Sequence, residues 1–178
     1  GALPSRFRRE RLLIVGYGDV GQRMARNLLT GPGAQRLRVL ALTSQAERVG
    51  SLRAQGVTSL VGNLDHAATL RRLSGLATRV VHLAPPPGEG GGGAAWWRDP
   101  RTVALARALR LRSLPVSLVY ASTSGVYGDC AGALVADTRP AAPGTPRAPR
   151  RVNAERAVCH LGRAGVRTCI LRIPGIYA

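Results

Sequence analysis

A run of four apolar residues that ends directly in three spaced glycines constrains the chain more than any other feature. Leu12–Val15 is followed without a break by Gly16-Tyr17-Gly18-Asp19-Val20-Gly21. Uninterrupted apolar residues of this kind read as a strand buried on both faces. Beyond the glycines, Val20, Met24, Ala25 and Leu28 recur at helical spacing, and Gly31-Pro32-Gly33 closes the segment. A strand, a glycine turn and a helix in immediate succession give each glycine a backbone task. Gly16 permits the tight turn, Gly18 lets a pyrophosphate approach the main chain, and Gly21 lets the helix pack close to the strand. The free N–H groups and partial positive charge of the helix start, at Asp19 and Val20, then face the phosphates.

The same alternation repeats along the chain. Leu37–Leu42 reads as a second strand, Ala46–Ala54 as a helix that ends near Gly56, and Val57–Val61 as a third strand. A helix through Leu70 and Leu73 precedes a fourth strand at Val80–Leu83. A loop rich in Pro and Gly runs from Pro85 to Ala95, after which Asp99 as N-cap and Pro100 at the first helical position open another helix. Leu118–Ala121 is the fifth strand, a Pro-rich connection spans Pro140 to Pro149, a helix covers Val152–Leu161, and Thr168–Ile173 is the sixth strand. Strands alternating with helices imply an α/β fold with a doubly wound parallel sheet, the NAD(P)-binding Rossmann arrangement. The expected organisation is a basic arm over residues 1–10 and one dinucleotide-binding domain over residues 11–178, with no substrate-binding lobe. At 178 residues, the chain suits a single domain.

Composition enters mainly through what it excludes. The formal charge is +17, yet all 26 basic residues are arginine, and they are spread over the whole length instead of forming a block. Uniform arginine use beside abundant Ala and Gly is the mark of a compositional bias, so nucleic acid is a weak inference from charge. Cys130, Cys159 and Cys169 have no CxxC spacing, and His66, His82 and His160 are scattered, so no metal site and no disulfide framework is expected. The adjacent Cys159 and His160 would point in different directions on a helix and are read as incidental. No apolar run approaches the roughly 20 residues of a membrane span. The start of the sequence carries no signal-peptide pattern, which leads to the expectation of a cytoplasmic protein.

The end of the second strand bears on the choice of cofactor. NAD-selective sites usually place an acid there for the ribose 2′-hydroxyl. Thr43-Ser44 stands at that point with Arg48 soon after, a set that suits a 2′-phosphate. NADP is therefore favoured over NAD, against the alternative that Arg48 is simply a solvated helix residue.

Several further segments resemble the extended short-chain dehydrogenase/reductases, the NAD-dependent epimerases and dehydratases. Gly62-Asn63-Leu64-Asp65 is similar to the segment after the third strand whose Asp touches adenine; Asn63 replaces the usual Asp, and Asp65 remains. His82-Leu83-Ala84-Pro85-Pro86 resembles the strand end that passes along the cofactor. Ala121-Ser122-Thr123-Ser124-Gly125-Val126-Tyr127-Gly128 is similar to the family's hydroxyl-rich strand end and VYG. Arg172-Ile173-Pro174-Gly175-Ile176-Tyr177 is similar to its R-x-P segment. The glycine turn, the end of the second strand and the resemblance together give an expected cofactor set of Gly16, Gly18, Asp19, Val20, Gly21, Thr43, Ser44, Arg48, Asn63, Leu64, Asp65, Leu83, Ala84, Pro85 and Pro174.

For catalysis the pattern departs from the family. Members use a Tyr-x-x-x-Lys pair, the lysine lowering the tyrosine pKa and holding the ribose. Placing Glu155 on the family's helix glutamate puts Arg147 at the tyrosine position and Arg151 at the lysine position, and the chain has no lysine at all. Arginine grips ribose or phosphate but is a poor proton shuttle. Thr123 aligns with the residue that orients a substrate hydroxyl, against the bland reading of a strand-end hydrogen bond. Tyr127 belongs to VYG; as a stand-in acid it has an ordinary pKa near 10 to overcome. Thr123, Tyr127, Arg147 and Arg151 are the candidate catalytic residues. Three readings follow in descending order. They are an oxidoreductase, epimerase or dehydratase with a non-standard site and an unknown small-molecule substrate, a non-catalytic NAD(P)-binding regulator, and an arginine-based nucleic-acid binder. A homodimer is compatible with any of them.

Overall fold

The computed structural model describes residues 9–88 and 95–175. Six strands form one parallel sheet: β1 (Glu10–Val15), β2 (Leu37–Thr43), β3 (Thr58–Val61), β4 (Arg79–His82), β5 (Ser117–Thr123) and β6 (Arg167–Ile173). Their order is β3-β2-β1-β4-β5-β6. The chain therefore winds outward twice from the centre, and the order reverses between β1 and β4. Among the described residues, four α-helices lie between the strands: α1 (Asp19–Thr30), α2 (Val49–Ala54), α3 (Pro100–Leu109) and α4 (Ala148–Arg163). This is the doubly wound α/β fold expected from the sequence.

Register makes β1 a divider between two cores. Leu13 and Val15 pack with Leu70, Leu73, Leu105, Leu118, Tyr120, Val158 and Leu161 on the side of α3 and α4. Leu12 and Ile14 point the other way, into a smaller cluster with Ala25, Val39, Leu52 and Val57 against α1 and α2. A strand with apolar residues at every position is what two such layers require. The outer strands differ: β5 alternates between buried and half-buried positions, and β6 alternates between exposed and half-buried ones.

Helix boundaries show where local rules were decisive. Asp99 caps α3 as expected, its carboxylate accepting from the backbone N–H groups of Arg101 and Thr102, with Pro100 behind it. The segment expected to be helical through Leu70 and Leu73 is a 3₁₀ helix over Ala67–Leu73. With three residues per turn, positions three apart eclipse, and Leu70 and Leu73 are both fully buried on one side. The stretch over Ala46–Ala54 divides into a 3₁₀ turn (Ala46–Arg48) and α2. α4 begins four residues earlier than expected, at Ala148, because Pro149 falls in its first turn, where no N–H partner is lost. Residues 1–8, most of the N-terminal arm, lie outside the described residues, as do 89–94 of the glycine-rich loop and Ile176 and Tyr177.

Candidate functional site: a groove along the carboxyl edge of the sheet

A groove of about 540 Å³ runs along the carboxyl ends of β1, β2, β3 and β4. The β1–α1 turn forms its floor, and the three glycines there have distinct surroundings. Gly16 has φ +91°, and a Cβ on it would overlap the backbone of Leu83 and Ala84, including the Ala84 Cα at 2.8 Å. That segment is held down where the backbone N–H groups of Leu83 and Ala84 donate to the Val15 carbonyl, at 2.7 and 3.2 Å. Gly16 thus serves both the turn and the close passage of the chain leaving β4. A Cβ on Gly21 would lie 3.0 Å from the Gly16 carbonyl and 3.3 Å from the Ile14 side chain, so this glycine sets the distance between α1 and β1. A Cβ on Gly18 meets nothing within 4 Å. Gly18 opens onto the groove at the start of α1, where the first helical N–H groups have no partner inside the helix.

The wall at β2 contains Thr43, Ser44, Gln45 and Arg48. Thr43 Oγ1 accepts from the Gln45 N–H at 3.2 Å, which holds the loop at the strand end. Arg48 crosses to the glycine turn and donates to the Tyr17 carbonyl at 3.1 Å, its guanidinium 6.0 Å from the centre of the Tyr17 ring. Tyr17 is almost wholly buried, and burial raises its pKa above the ordinary value against the opposing charge of Arg48.

The wall at β3 contains Gly62, Asn63, Leu64 and Asp65, with Leu83, Ala84 and Pro85 opposite. Asp65 is held by Arg101 in a two-pronged pair, both N–O distances being 2.7 Å. These hydrogen bonds pull the Asp65 pKa below the usual carboxylate range. Arg101 also donates to the Pro85 carbonyl at 3.3 Å, so one side chain from α3 ties the β3 and β4 loops together. Asn63 Oδ1 accepts from the Asp65 N–H at 2.9 Å.

Of the fifteen residues assigned to the cofactor by sequence, Gly16, Gly18, Asp19, Val20, Gly21, Thr43, Ser44, Arg48, Asn63, Leu64, Asp65, Leu83, Ala84 and Pro85 line this one groove. Pro174 lies elsewhere, beside a second cleft of about 740 Å³ with Ser124, Tyr127, Asp137 and Arg172. Tyr17, Gln45 and Arg101 line the groove without having been singled out. Tyr17 sits inside the glycine motif and could have been included. Arg101 had no signal, since its reach to Asp65 bridges 36 positions of sequence.

The candidate catalytic residues do not converge on an acid–base pair. Thr123 Oγ1 accepts from the Gly125 N–H at 3.2 Å, the strand-end bond of the bland reading. Tyr127 is buried, donates to the Asp137 carbonyl at 3.3 Å and lies under the Arg172 guanidinium, 4.7 Å from the ring centre. Arg151 donates to the Tyr120 hydroxyl at 3.1 Å and to the Ala121 carbonyl at 2.8 Å. Tyr120 is fully buried, and its pKa is pushed up to about 12 by desolvation, with Arg151 opposing. Arg147 is an exposed residue at the N-cap of α4. Cys159 and His160 are both exposed on α4.

A second arginine on the same helix was not foreseen. Arg150 is buried, and its guanidinium donates to the carbonyls of Pro87 and Gly88, both at 2.7 Å, and of Trp96. It gathers the two described ends of the glycine-rich loop.

Comparison with known proteins agrees with this geometry. The TrkA-N domain model matches residues 12–84, the part of the chain that carries the glycine turn and the first four strands. No curated protein matches the chain in sequence. Among solved structures, a UDP-Glc/GlcNAc 4-epimerase from Campylobacter jejuni superimposes with a TM-score of 0.75 at 17% identity, over 92% of this chain and 53% of that one. A dTDP-glucose 4,6-dehydratase from Streptomyces venezuelae, solved with NAD, gives 0.74 at 22% identity, over 91% and 55%. A short-chain dehydrogenase/reductase superfamily protein from Agrobacterium tumefaciens, with bound NAD, gives 0.72 at 22%, over 92% and 48%. The resemblance to the extended short-chain dehydrogenase/reductases is borne out in the fold, and the chain spans about half the length of these structures.

Proposed function

We propose that this chain binds a nicotinamide dinucleotide across the carboxyl edge of its sheet, as the cofactor-binding portion of an epimerase, dehydratase or related oxidoreductase. The observation that carries the reading is the groove at the strand-order reversal, floored by a glycine turn in which Gly18 alone has free space above it. Ligands of open α/β sheets bind at such a reversal, with pyrophosphate over the helix start. Thr43, Ser44 and Arg48 would face the ribose 2′ position. An arginine and hydroxyls with no acid at the end of β2 support NADP over NAD. When bound, the cofactor supplies hydride chemistry; the chain's own part is to hold the phosphates, grip the ribose and exclude water from the β3 wall.

Titration calorimetry with NADPH and then NADH at moderate salt tests the reading, with saturable binding and a preference for NADPH as the expected result. Gly18→Val puts its Cβ where no atom beyond the chain neighbours lies within 4 Å, so folding is expected to be retained while pyrophosphate approach is blocked. Its affinity is expected to fall at least about tenfold, or roughly 1.4 kcal/mol. Affinity equal to the parent's would remove the groove from consideration.

A second reading, a cofactor-binding regulator without turnover, is favoured by one specific observation. Thr123 accepts from the Gly125 N–H, Tyr127 donates to the Asp137 carbonyl and lies under Arg172, and Arg151 donates to Tyr120 and the Ala121 carbonyl, so these side chains are engaged with the protein itself. The two readings separate on turnover: the protein is incubated with sugar nucleotides and either the oxidised or the reduced cofactor, and both conversion of the sugar and net oxidation of the cofactor are followed. Under the first, the sugar is converted, with net cofactor oxidation only if the reaction is a reduction, and Thr123→Val lowers kcat; under the second, the cofactor binds and neither sugar nor cofactor changes.

A further inference from the structure

We infer that the outer groove between α3 and α4 is a docking surface for an acidic, amphipathic helix of another protein, and not for a second copy of this chain. The groove has a volume of about 360 Å³ and shares no lining residue with the dinucleotide groove. Its lining follows helical spacing on both sides. On α3, Val103, Ala106, Arg107 and Arg110 stand three, four and seven places apart and so share one face. On α4, the pairs Arg156–His160 and Ala157–Leu161 do the same. Burial divides these residues into floor and rim. Leu161 is buried and Val103, Ala106 and Ala157 are half-buried, whereas Arg107, Arg110, Arg156 and His160 are exposed. An apolar floor thus runs between a cationic rim on each helix.

Arginine is frequent throughout this chain, so its presence alone says little; the acids decide the matter. α3 contains no acid, and α4 contains one, Glu155, which is buried and bonded to Ser122 and Arg172. On α1, by contrast, Asp19 pairs with Arg23 at 2.9 Å. The side chains of Arg107, Arg110 and Arg156 make no hydrogen bond, ion pair or ring contact among the described residues. The positive charge on both rims is therefore uncompensated. A two-fold pair of copies would set this face against itself and oppose these three arginines to the same three residues, with no free acid on either helix to separate them.

The occupant that fits carries small apolar side chains at i, i+3, i+4 and i+7, which meet the floor, and Glu or Asp on each side of that stripe, which meet the rims. Nucleic acid fits less well. The rims suit phosphates, but the floor of Val103, Ala106, Ala157 and Leu161 offers neither a ring for stacking nor a polar group for a base edge. Asn153, which also lines the groove, gives its side-chain carbonyl to the Asp99 N–H at 2.9 Å.

The test uses the whole chain at moderate salt and two labelled synthetic helices with the same Ala/Leu stripe, one flanked by Glu and the other by Lys. Fluorescence anisotropy is expected to show saturable binding of the Glu helix and none of the Lys helix; no saturable binding of the Glu helix overturns the inference. Arg107→Glu combined with Arg156→Glu is expected to weaken binding by about tenfold or more. Arg26→Glu combined with Arg53→Glu, on α1 and α2 at the other face of the sheet, is expected to leave it nearly unchanged. All of these positions are exposed, so the fold tolerates the substitutions. Equal losses from the two pairs would reduce the effect to general attraction by a basic protein and overturn the inference. Ala157→Trp fills the floor without altering charge and is also expected to weaken the Glu helix; unchanged binding would mean that the groove is not used. A DNA duplex that displaced the Glu helix would assign the face to nucleic acid instead. Sedimentation is expected to give the same mass for the parent and the Arg107→Glu, Arg156→Glu variant, and a change of mass would make a second copy the occupant.

Discussion

His82 ends β4 with none of its surface accessible to solvent. Its Nε2 lies 2.8 Å from Thr102 Oγ1, and the Thr102 hydroxyl in turn donates to the Asp99 carboxylate. The single hydroxyl proton goes to the acid, so the histidine carries its proton on Nε2 and leaves Nδ1 without a partner among the described residues. Desolvation, reinforced by the Arg151 charge, pushes its pKa down to about 3. The unfolded chain titrates this group near 6.5 and therefore binds the extra proton first. Stability from this residue is complete above the unfolded value and is lost as pH falls from there towards 3, at up to about 1.4 kcal/mol per pH unit. His82→Gln keeps a donor for Thr102 and does not titrate. Urea melts between pH 6 and pH 4 should show a shallower loss of stability in the variant than in the parent; parallel curves would mean that the histidine is charged or exposed.

At the scale of elements, the outer half of the sheet is held by polar as well as apolar contacts. Glu155 of α4 is buried; it accepts from Ser122 Oγ of β5 at 2.6 Å and pairs with Arg172 of β6 at 2.8 Å. The pairing raises the Arg172 pKa above its ordinary value, first through hydrogen bonds to Glu155. One carboxylate thus joins three elements where β6 contributes few buried apolar residues of its own. Removing one partner of a largely buried pair leaves the other uncompensated. Glu155→Ala is expected to lower unfolding stability by about 3 kcal/mol, measured by chemical denaturation. A loss under about 1 kcal/mol would class the pair with exposed ones such as Asp19–Arg23.

Over the whole molecule, the two faces of the sheet are covered unequally. The core on the side of α3 and α4 draws on β1, β2, β4 and β5, while the smaller core on the side of α1 and α2 draws on β1, β2 and Val81 of β4, with Val119 of β5 only partly buried at its edge. In-register pairing places Val119 beside Cys169 and Ala121 beside Leu171 on the less covered side, and Leu171 is 48% exposed. Cys159 and Cys169 are exposed, whereas Cys130 is half-buried and its sulfur lies against the Tyr127 and Gly128 carbonyls. A disulfide-exchange reagent should therefore modify two thiols rapidly and the third slowly in the native protein. Protection of Cys169 alone would mean that this face is covered in solution. Among the described residues no helix is long and apolar enough to cross a membrane.

Much of this was legible in one dimension because its causes are local. Apolar residues at consecutive positions of β1, helical spacing after Gly21 and the Asp99-Pro100 start are decided by neighbours in sequence, and each held in three dimensions. The groove residues were legible for a related reason: strand ends of a parallel sheet all open on one edge, so motifs that close strands gather there. Pro174 stands apart from the groove because β6 is at the far edge of that sheet, beyond β5. The state of each side chain was out of reach. That Arg101 occupies Asp65, that Arg150 gathers the loop ends and that Arg151 is bonded to Tyr120 depend on helices packing across the sheet. With every basic residue an arginine, the sequence offered many equal candidates, and only distance in the folded chain distinguished those that meet a carboxylate or a buried carbonyl from those that meet water.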